Sequence, residues 1–259
     1  MKKLVALLLF LSSPVYALSD CADKPTCEEI GYTHNEYACD QKIAMPCPFD
    51  SSKIYCPGPI CEPGYFLYSD GSCSLALKSD KTVIGIVFDK EQRLAVSVEP
   101  PARGILWANN AKDTLDENGY ETIVVPDLGI RGEVIYGYYV ACENDCNGRI
   151  NTKKIVDFGK ANNYSFPAAE YCYNFAASGK GKGNWWLPSN PELWGVYYNF
   201  DIINASLSKA QKDILPKTTY WTSRQTSAIK AEYILFSINQ SMPNDKRSKW
   251  HLTLCVTRY

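Results

Sequence analysis

One short stretch, which joins two tryptophans to the start of a helix, decides the fold: Asn184-Trp185-Trp186-Leu187-Pro188-Ser189-Asn190-Pro191-Glu192-Leu193-Trp194. Ser189 and Glu192 fit a capping box, in which each side chain binds the backbone N–H of the other residue. Asn190 is an alternative N-cap, because the residue before a proline resists helical dihedrals. Either N-cap predicts a helix with one apolar face, formed by Leu193, Val196, Tyr197 and Phe200.

The first residues have the composition of a secretory signal peptide. Lys2 and Lys3 precede the apolar run 4–11, and Ala17 supplies the small residue that signal peptidase prefers. The apolar run is much shorter than the ~20 residues that a membrane span needs. We therefore expect residues 1–17 to be a signal peptide, and the mature protein to be secreted, periplasmic or on the cell surface, without a membrane span.

The charges of the chain are nearly balanced. Its 259 residues include 27 Lys and Arg against 28 Asp and Glu, a net charge of −1. This balance argues against a nucleic-acid-binding protein. Basic residues nevertheless gather near the C-terminus beside a tryptophan, a combination that can bind acidic or sulfated sugars. The predicted ligand contacts are Arg224, Lys230, Lys246, Arg247, Lys249 and Trp250; the alternative is a solvated loop face.

The 11 cysteines indicate disulfides formed in an oxidising compartment. Residues 18–78 are rich in Cys, Pro, Asp and Tyr without apolar periodicity, so we expect a disulfide-stabilised module, a stalk or spacer. Its pairing stays open, and the absence of a Cys-x-x-Cys knuckle there argues against zinc. Cys142 and Cys146 are predicted to close a small surface loop. The odd total leaves at least one thiol that is free, in an intermolecular bond or otherwise engaged.

From residue 82 the pattern predicts an α+β domain, which extends to residue 259. Two β-branched runs, 82–88 and 94–98, flank a charged turn and predict a hairpin. Further strands are expected at 105–107, 121–125, 134–140, 219–222, 233–238 and 252–257. Further helices are expected within 165–178, with Cys172 facing inward, and at 202–210, whereas 151–163 is expected to connect elements. The run Gly179-Lys-Gly-Lys-Gly183 is expected to be a flexible turn, because no Gly-Lys-Ser/Thr follows it.

The order of these motifs resembles a known family. It comprises Ala168-Ala169-Glu-Tyr-Cys172, Trp186-Leu187-Pro188-Ser189 with Glu192, Ile203-Asn204, Tyr220-Trp221-Thr222-Ser223 and Cys255-Val256-Thr257-Arg258. The order is similar to that of the Legionella collagen-like protein C-terminal domain family, within the C-type-lectin-like fold that also includes formylglycine-generating-enzyme relatives. The resemblance covers 165–259 well and 82–141 loosely, and it does not reach the Cys-rich module.

The resemblance implies a bacterial protein with a C-type-lectin-like domain of two or three helices and twisted antiparallel sheets. It also implies a disulfide between Cys172 of the first helix and Cys255 of the last strand. Conspicuous residues of the family motifs would then hold the fold together: Trp186, Leu187, Pro188, Ser189, Glu192 and Trp221.

The sequence offers little for catalysis. Its 2 histidines, His34 and His251, argue against a site that pairs a nucleophile with histidine. Formylglycine-generating relatives use a late cysteine pair, but here only Cys255 lies late in the domain. The Glu-Pro-Asn and Trp-Asn-Asp motifs of calcium-dependent lectins are also missing. We therefore expect a non-enzymatic protein without a metal or cofactor.

These observations predict a secreted or surface-displayed binding or adhesion protein. Its lectin-like domain would recognise a glycan, an anionic polysaccharide or a surface protein. The alternative is a structural subunit of an extracellular assembly, such as a pilus or surface layer, in which the odd cysteine forms an intermolecular bond.

Overall fold

The computed structural model describes residues 45–46, 54–55, 61–109, 123–126, 128, 147–177 and 180–259. These residues form an α+β structure with antiparallel sheets. Its strands are β1 (Met45–Pro46), β2 (Ile54–Tyr55), β3 (Phe66–Tyr68), β4 (Cys73–Ser74), β5 (Val83–Asp89), β6 (Leu94–Ser97), β7 (Trp185–Trp186), β8 (Thr219–Gln225), β9 (Lys230–Leu235), β10 (Gln240–Asp245) and β11 (Val256–Arg258). Its helices are α1 (Gly148–Asn162), α2 (Pro167–Asn174), α3 (Asn190–Tyr198) and α4 (Phe200–Lys209).

The larger sheet has six strands in the order β4-β3-β5-β6-β11-β7. The hairpin predicted from the two β-branched runs is present as β5 and β6. Strand β11 lies between β6 and β7, because Val256 pairs with Val96 on one side and with Trp186 on the other. The closing strand therefore joins the hairpin to the tryptophan pair.

The smaller sheet has three strands in the order β10-β9-β8. An isolated parallel bridge between Tyr220 and Leu252 connects it to the segment before β11. The strands predicted near 219 and 233 correspond to β8 and β9, and the predicted strand 252–257 is shorter, as β11. Strands β7 and β10 were not expected from the sequence.

The two tryptophans of β7 divide the core into two parts. Trp185 packs in a cluster with Trp221, Leu67 and Phe166, whereas Trp186 packs in a cluster with Leu193, Val196 and Phe236. Successive residues of a strand point to opposite faces of the sheet, so adjacent residues enter different layers. The sheet is thus covered on both faces around β7.

Helix α3 begins as the capping box predicts. The Ser189 hydroxyl accepts a hydrogen bond from the backbone N–H of Glu192 at 3.4 Å. In return, Glu192 Oε2 accepts one from the backbone N–H of Ser189 at 2.8 Å. Ser189 is therefore the N-cap, and Asn190 is the first helical residue. The helices predicted within 165–178 and at 202–210 are present as α2 and α4.

The predicted connecting region 151–163 is instead helical up to residue 162, as part of α1, and Asn163 is its C-cap. Asn147 caps this helix through Oδ1, which accepts hydrogen bonds from the backbone N–H groups of Arg149 and Ile150. The buried face of α1 contains small and polar residues besides Ile155 and Val156, so the apolar periodicity is weak. The prediction was wrong because it relied on that periodicity.

The predicted domain boundary also needs correction. All three residues of β3 are buried, and β3 pairs with β5 in the large sheet. A disulfide joins Cys61 to Cys73 beside it. Residues 61–74 therefore belong to the same sheet as the domain that was expected to begin at residue 82. Apart from β1 and β2, the rest of the predicted Cys-rich module lies outside the described residues.

Two predicted strands do not form, as far as the structure describes them. Residues 105–107 contain no strand, because the N–H of Trp107 bonds singly to Lys246 O instead of joining a ladder. Residues 123–125 are irregular, and the N–H of Val125 bonds to the side chain of Gln225. Residues 121–122, the predicted strand 134–140, and Cys142 and Cys146 lie outside the described residues. In the described part, no helix has the length and apolar character to cross a membrane.

Candidate functional site

Helix α2 is fixed to the closing segment of the chain by a disulfide. Cys172 of α2 is bonded to Cys255, which directly precedes β11, as the resemblance implied. Both residues are buried, and α2 is the second helix because α1 precedes it. In the chain-entropy model, closing a loop of 83 residues contributes about 4 to 5 kcal/mol to stability. Helix α2 is therefore held in one position.

A surface groove of about 650 Å³ lies along α2, which we call the α2 groove. Its lining combines aromatic rings, amides, one carboxylate and one ammonium group with apolar residues. The lining residues are Gly104, Ile105, Leu106, Asn109, Pro167, Glu170, Tyr171, Asn174, Phe175 and Lys249.

The wall opposite α2 is held by backbone hydrogen bonds. Leu106 O accepts a hydrogen bond from the N–H of Ala168 at 3.0 Å, and the N–H of Asn109 donates to Ser165 O at 2.9 Å. Ile105 O accepts one from the indole N–H of the buried Trp221 at 3.2 Å. These hydrogen bonds hold segment 104–109 beside α2, although the segment forms no strand.

The two aromatic rings of the groove pack against each other and against the core. The ring centroids of Tyr171 and Phe175 lie 5.9 Å apart, and Phe175 packs edge-on against the buried Trp185 at 5.2 Å. Burial raises the pKa of Tyr171, so its hydroxyl stays neutral and can both donate and accept.

Glu170 is oriented by the start of its own helix. Its Oε1 accepts a hydrogen bond from the N–H of Phe166 at 2.9 Å, and its Oε2 accepts one from the Ser165 hydroxyl at 3.3 Å. These bonds fix the carboxylate at the groove wall. The exposed amide of Asn174 lies one turn further along the same helix face.

The structure does not bring the six predicted contact residues together. The prediction is most clearly wrong for Lys246. Its side chain is fully buried at 0% exposure, and its Nζ donates to Ile123 O, Ala228 O and Gln225 Oε1. It also lies 5.0 Å from the centre of the Trp107 ring. Lys246 therefore holds residue 123 against the small sheet and cannot contact a ligand.

Arg224 also points into the protein. It is buried, and its Nη1 lies 3.9 Å from the carboxylate of the fully buried Glu232. Arg247 is paired with Asp245 at 2.9 Å, and this guanidinium lowers the pKa of Asp245. Lys230 is exposed at the start of β9.

Two of the six residues remain available near the groove. Lys249 is exposed and lines it, and the neighbouring Trp250 is 85% exposed. Contact of Lys230, Arg247, Lys249 or Trp250 with a ligand stays a prediction. The sequence did not indicate the groove, because its walls come from residues about 60 positions apart.

His251 is enclosed by aromatic side chains. It is stacked on Tyr233 at 4.0 Å between ring centroids, with Trp221 at 4.2 Å. Its Nε2 lies 2.8 Å from Asn244 Nδ2, which donates to it when the ring is neutral. Burial lowers the pKa of His251 to about 4. His34 lies outside the described residues, among which no group of three or more His, Cys, Asp or Glu side chains could hold a metal ion.

Comparisons with known proteins give one partial likeness. No family model and no curated protein matches the chain. A crystal structure of a fimbrial protein from Bacteroides ovatus aligns with a TM-score of 0.49 and 15% sequence identity. The alignment covers 76% of this chain and 48% of that protein, so the chain spans about half of its length. This similarity is too low to carry a functional conclusion.

Proposed function

We propose that the chain is a secreted or surface-displayed binding protein that recognises a glycan through the α2 groove. The observation that carries the proposal is the mixture of groups in one groove. Two aromatic rings, Tyr171 and Phe175, lie beside the amides of Asn109 and Asn174 and the carboxylate of Glu170. Aromatic rings can pack on the C–H face of a sugar ring, while amides and carboxylates bind its hydroxyl groups.

The support of the groove favours binding with little rearrangement. Phe175 rests on Trp185, Glu170 is held by two hydrogen bonds, and the Cys172–Cys255 disulfide fixes the helix. A preformed site loses less conformational entropy when a ligand binds. The two disulfides also suit an oxidising, extracytoplasmic location.

The fold and family assignments are part of the same proposal. A C-type-lectin-like fold is supported by the disulfide from a helix to the segment before the closing strand, and by the position of β11 inside the large sheet. Membership of the Legionella collagen-like protein C-terminal domain family is supported by the motifs around Trp186 and Trp221, both of which are buried. A non-enzymatic role is supported by His251, which is enclosed by aromatic rings.

The alternative is a structural subunit of an extracellular assembly, such as a pilus or surface layer, and the described sheet edges do not favour one that is built by strand addition. The edges of the large sheet are β4 and β7, which have 2 residues each. The edges of the small sheet are β10, which contains Pro243 and Asp245, and the longer β8, where Tyr220 already forms a bridge with Leu252. Short edges, prolines and charges hinder the addition of a foreign strand.

A glycan microarray followed by titration calorimetry with the best ligand tests the proposal. We expect Tyr171→Ala and Asn174→Ala to weaken binding about tenfold or more, because each removes a contact from the groove. The matched control is Tyr198→Ala, since Tyr198 is 61% exposed on α3 and does not line the groove. Equal affinity of all variants, or equal loss in Tyr198→Ala, would rule out the groove as the binding site.

A further inference from the structure

A second surface of α2 carries an arrangement of cations around one tyrosine. Lys160, at the end of α1, places its Nζ 5.3 Å from the centre of the Tyr173 ring. Lys182, in the loop after α2, places its Nζ 5.4 Å from the same centre. The two ammonium groups are therefore no further apart than the sum of these distances. We call Lys160, Tyr173 and Lys182 the Tyr173 basic surface; Lys180 lies two residues before Lys182 in the same loop.

The loop that carries Lys182 is held in place. The N–H of Gly183 donates to Tyr173 O at 2.8 Å, and the N–H of Lys180 donates to Ala177 O at 2.9 Å. Gly183 has a φ of 81°, a left-handed conformation that favours glycine. The sequence predicted a flexible turn for 179–183, but its described part, 180–183, is fixed by these bonds.

The cations of this surface lack acidic partners in the described structure. No described carboxylate lies within ion-pair distance of Lys160, Lys180 or Lys182, whereas five other lysines and arginines elsewhere form the pairs Lys81–Asp70, Lys90–Glu62, Lys212–Glu99, Arg224–Glu232 and Arg247–Asp245. The nearby acid on α1, Asp157, is already paired with Lys153. The surface thus keeps a local positive charge on a chain with a net charge of −1.

Lys180 extends this charge toward the end of the chain. Its Nζ donates to Arg258 O at 2.6 Å, which holds the side chain against β11. Burial lowers the pKa of Lys180, and the positive charges of Arg149 and Arg93 lower it further. Lys180 therefore lies within electrostatic reach of Arg149 and Arg93.

We propose that the Tyr173 basic surface binds the acidic groups of a polysaccharide. Lysine ammonium groups bind sulfate, phosphate or carboxylate groups as point charges. Because both Nζ atoms lie within 5.4 Å of the same ring centre, an anionic group at the rim of that ring is attracted by both. This surface does not include the residues that line the α2 groove, and the proposal does not depend on binding in that groove.

The surroundings favour a polysaccharide over the other polyanions. Duplex DNA presents one charge per ~1.7 Å of axis, and tight binding to it needs several phosphate contacts, which two exposed lysines do not supply. An anionic membrane surface binds either clusters of about 4 to 8 Lys or Arg or proteins that also insert apolar side chains. The exposed residues here are Lys160, Gly181 and Lys182, which offer no such group.

The experiment compares two double variants of the full chain. Lys160→Gln/Lys182→Gln removes both ammonium groups from the surface. Lys209→Gln/Lys217→Gln makes the same change in net charge at two exposed lysines elsewhere. Biolayer interferometry measures binding to dextran sulfate, polygalacturonate and neutral dextran, with duplex DNA and phosphatidylglycerol vesicles as further probes. Thermal melting shows whether each variant is folded.

The proposal predicts binding to at least one of the acidic polysaccharides but not to neutral dextran. We expect the surface variant to lose about fivefold or more in affinity, the control variant to bind like the native chain, and added salt to weaken both. Equal affinity of the two variants would overturn the proposal. Variant-sensitive binding to DNA or vesicles without binding to either acidic polysaccharide would also overturn it. Asn174→Ala should bind the acidic polysaccharide normally, which separates this site from the groove.

Discussion

Trp185 and Trp186 are neighbours in sequence, but they pack in different halves of the core and differ in the hydrogen bonding of their indole N–H groups. The indole N–H of Trp186 donates to Glu192 Oε2 at 3.1 Å. The indole nitrogen of Trp185 is buried without a hydrogen-bond partner in the described structure. One tryptophan is therefore held by packing and a hydrogen bond, and the other by packing alone.

This difference predicts unequal costs for the same substitution. Trp186→Phe should lower the free energy of unfolding by about 2 kcal/mol more than Trp185→Phe, because only the former removes a hydrogen bond from the buried Glu192. Urea denaturation of both variants measures the difference. Equal losses would show that the bond to Glu192 contributes nothing.

The two described disulfides should differ in what they contribute. Replacing Cys172 and Cys255 by alanine opens a loop with a sequence separation of 83, against 12 for Cys61 and Cys73. In the chain-entropy model the first pair contributes about 4.5 kcal/mol and the second about 3 kcal/mol. Thermal and urea unfolding of the two double-alanine variants tests this order. A larger loss for the Cys61–Cys73 pair would contradict it.

Stability should fall at acidic pH because of His251. Its folded pKa is about 4, below the ordinary value of 6.5, so the unfolded chain binds the proton more readily. The contribution is fully present above pH 6.5 and is lost as the pH falls toward 4. The total loss is on the order of 3 kcal/mol.

The variant His251→Phe isolates this contribution because it keeps a ring between Trp221 and Tyr233. Urea unfolding between pH 7 and pH 4.5 should show a smaller pH dependence than in the native chain. Glu192 acts in the opposite direction, since burial raises its pKa, but it is present in both proteins. Identical pH dependence in the two proteins would exclude the assignment.

Gly148 should tolerate no side chain. A Cβ there would overlap Glu192 Oε2 and would lie 2.6 Å from both Leu187 O and Ser189 N. Gly148→Ala should therefore destabilise the protein by about 3 kcal/mol or more, because α1 must move away from the capping turn. Gly181→Ala is the control, since a Cβ at Gly181 meets nothing within 4 Å. Similar melting temperatures for the two variants would show that α1 adapts.

The sequence predicted correctly those features that depend on residues close together in the chain. The Ser189–Glu192 capping box and the hairpin of β5 and β6 depend on neighbouring residues, and both are present. Helix α1 was missed because its buried face uses Gly148, Asn151 and other small or polar residues. Lys246 was misjudged because lysine is almost never fully buried, and its partners are distant in sequence. The α2 groove depends on the packing of segment 104–109 against α2, which no local pattern encodes.

The central position of β11 has a consequence for biosynthesis. The ribosome synthesises residues 66–97, which contain β3, β5 and β6, long before residues 256–258. Strand β7 is also synthesised before β11, the strand with which it pairs. The large sheet therefore cannot close before residues 256–258 have been synthesised. Until then, the edge of β6 that pairs with β11 has no partner strand.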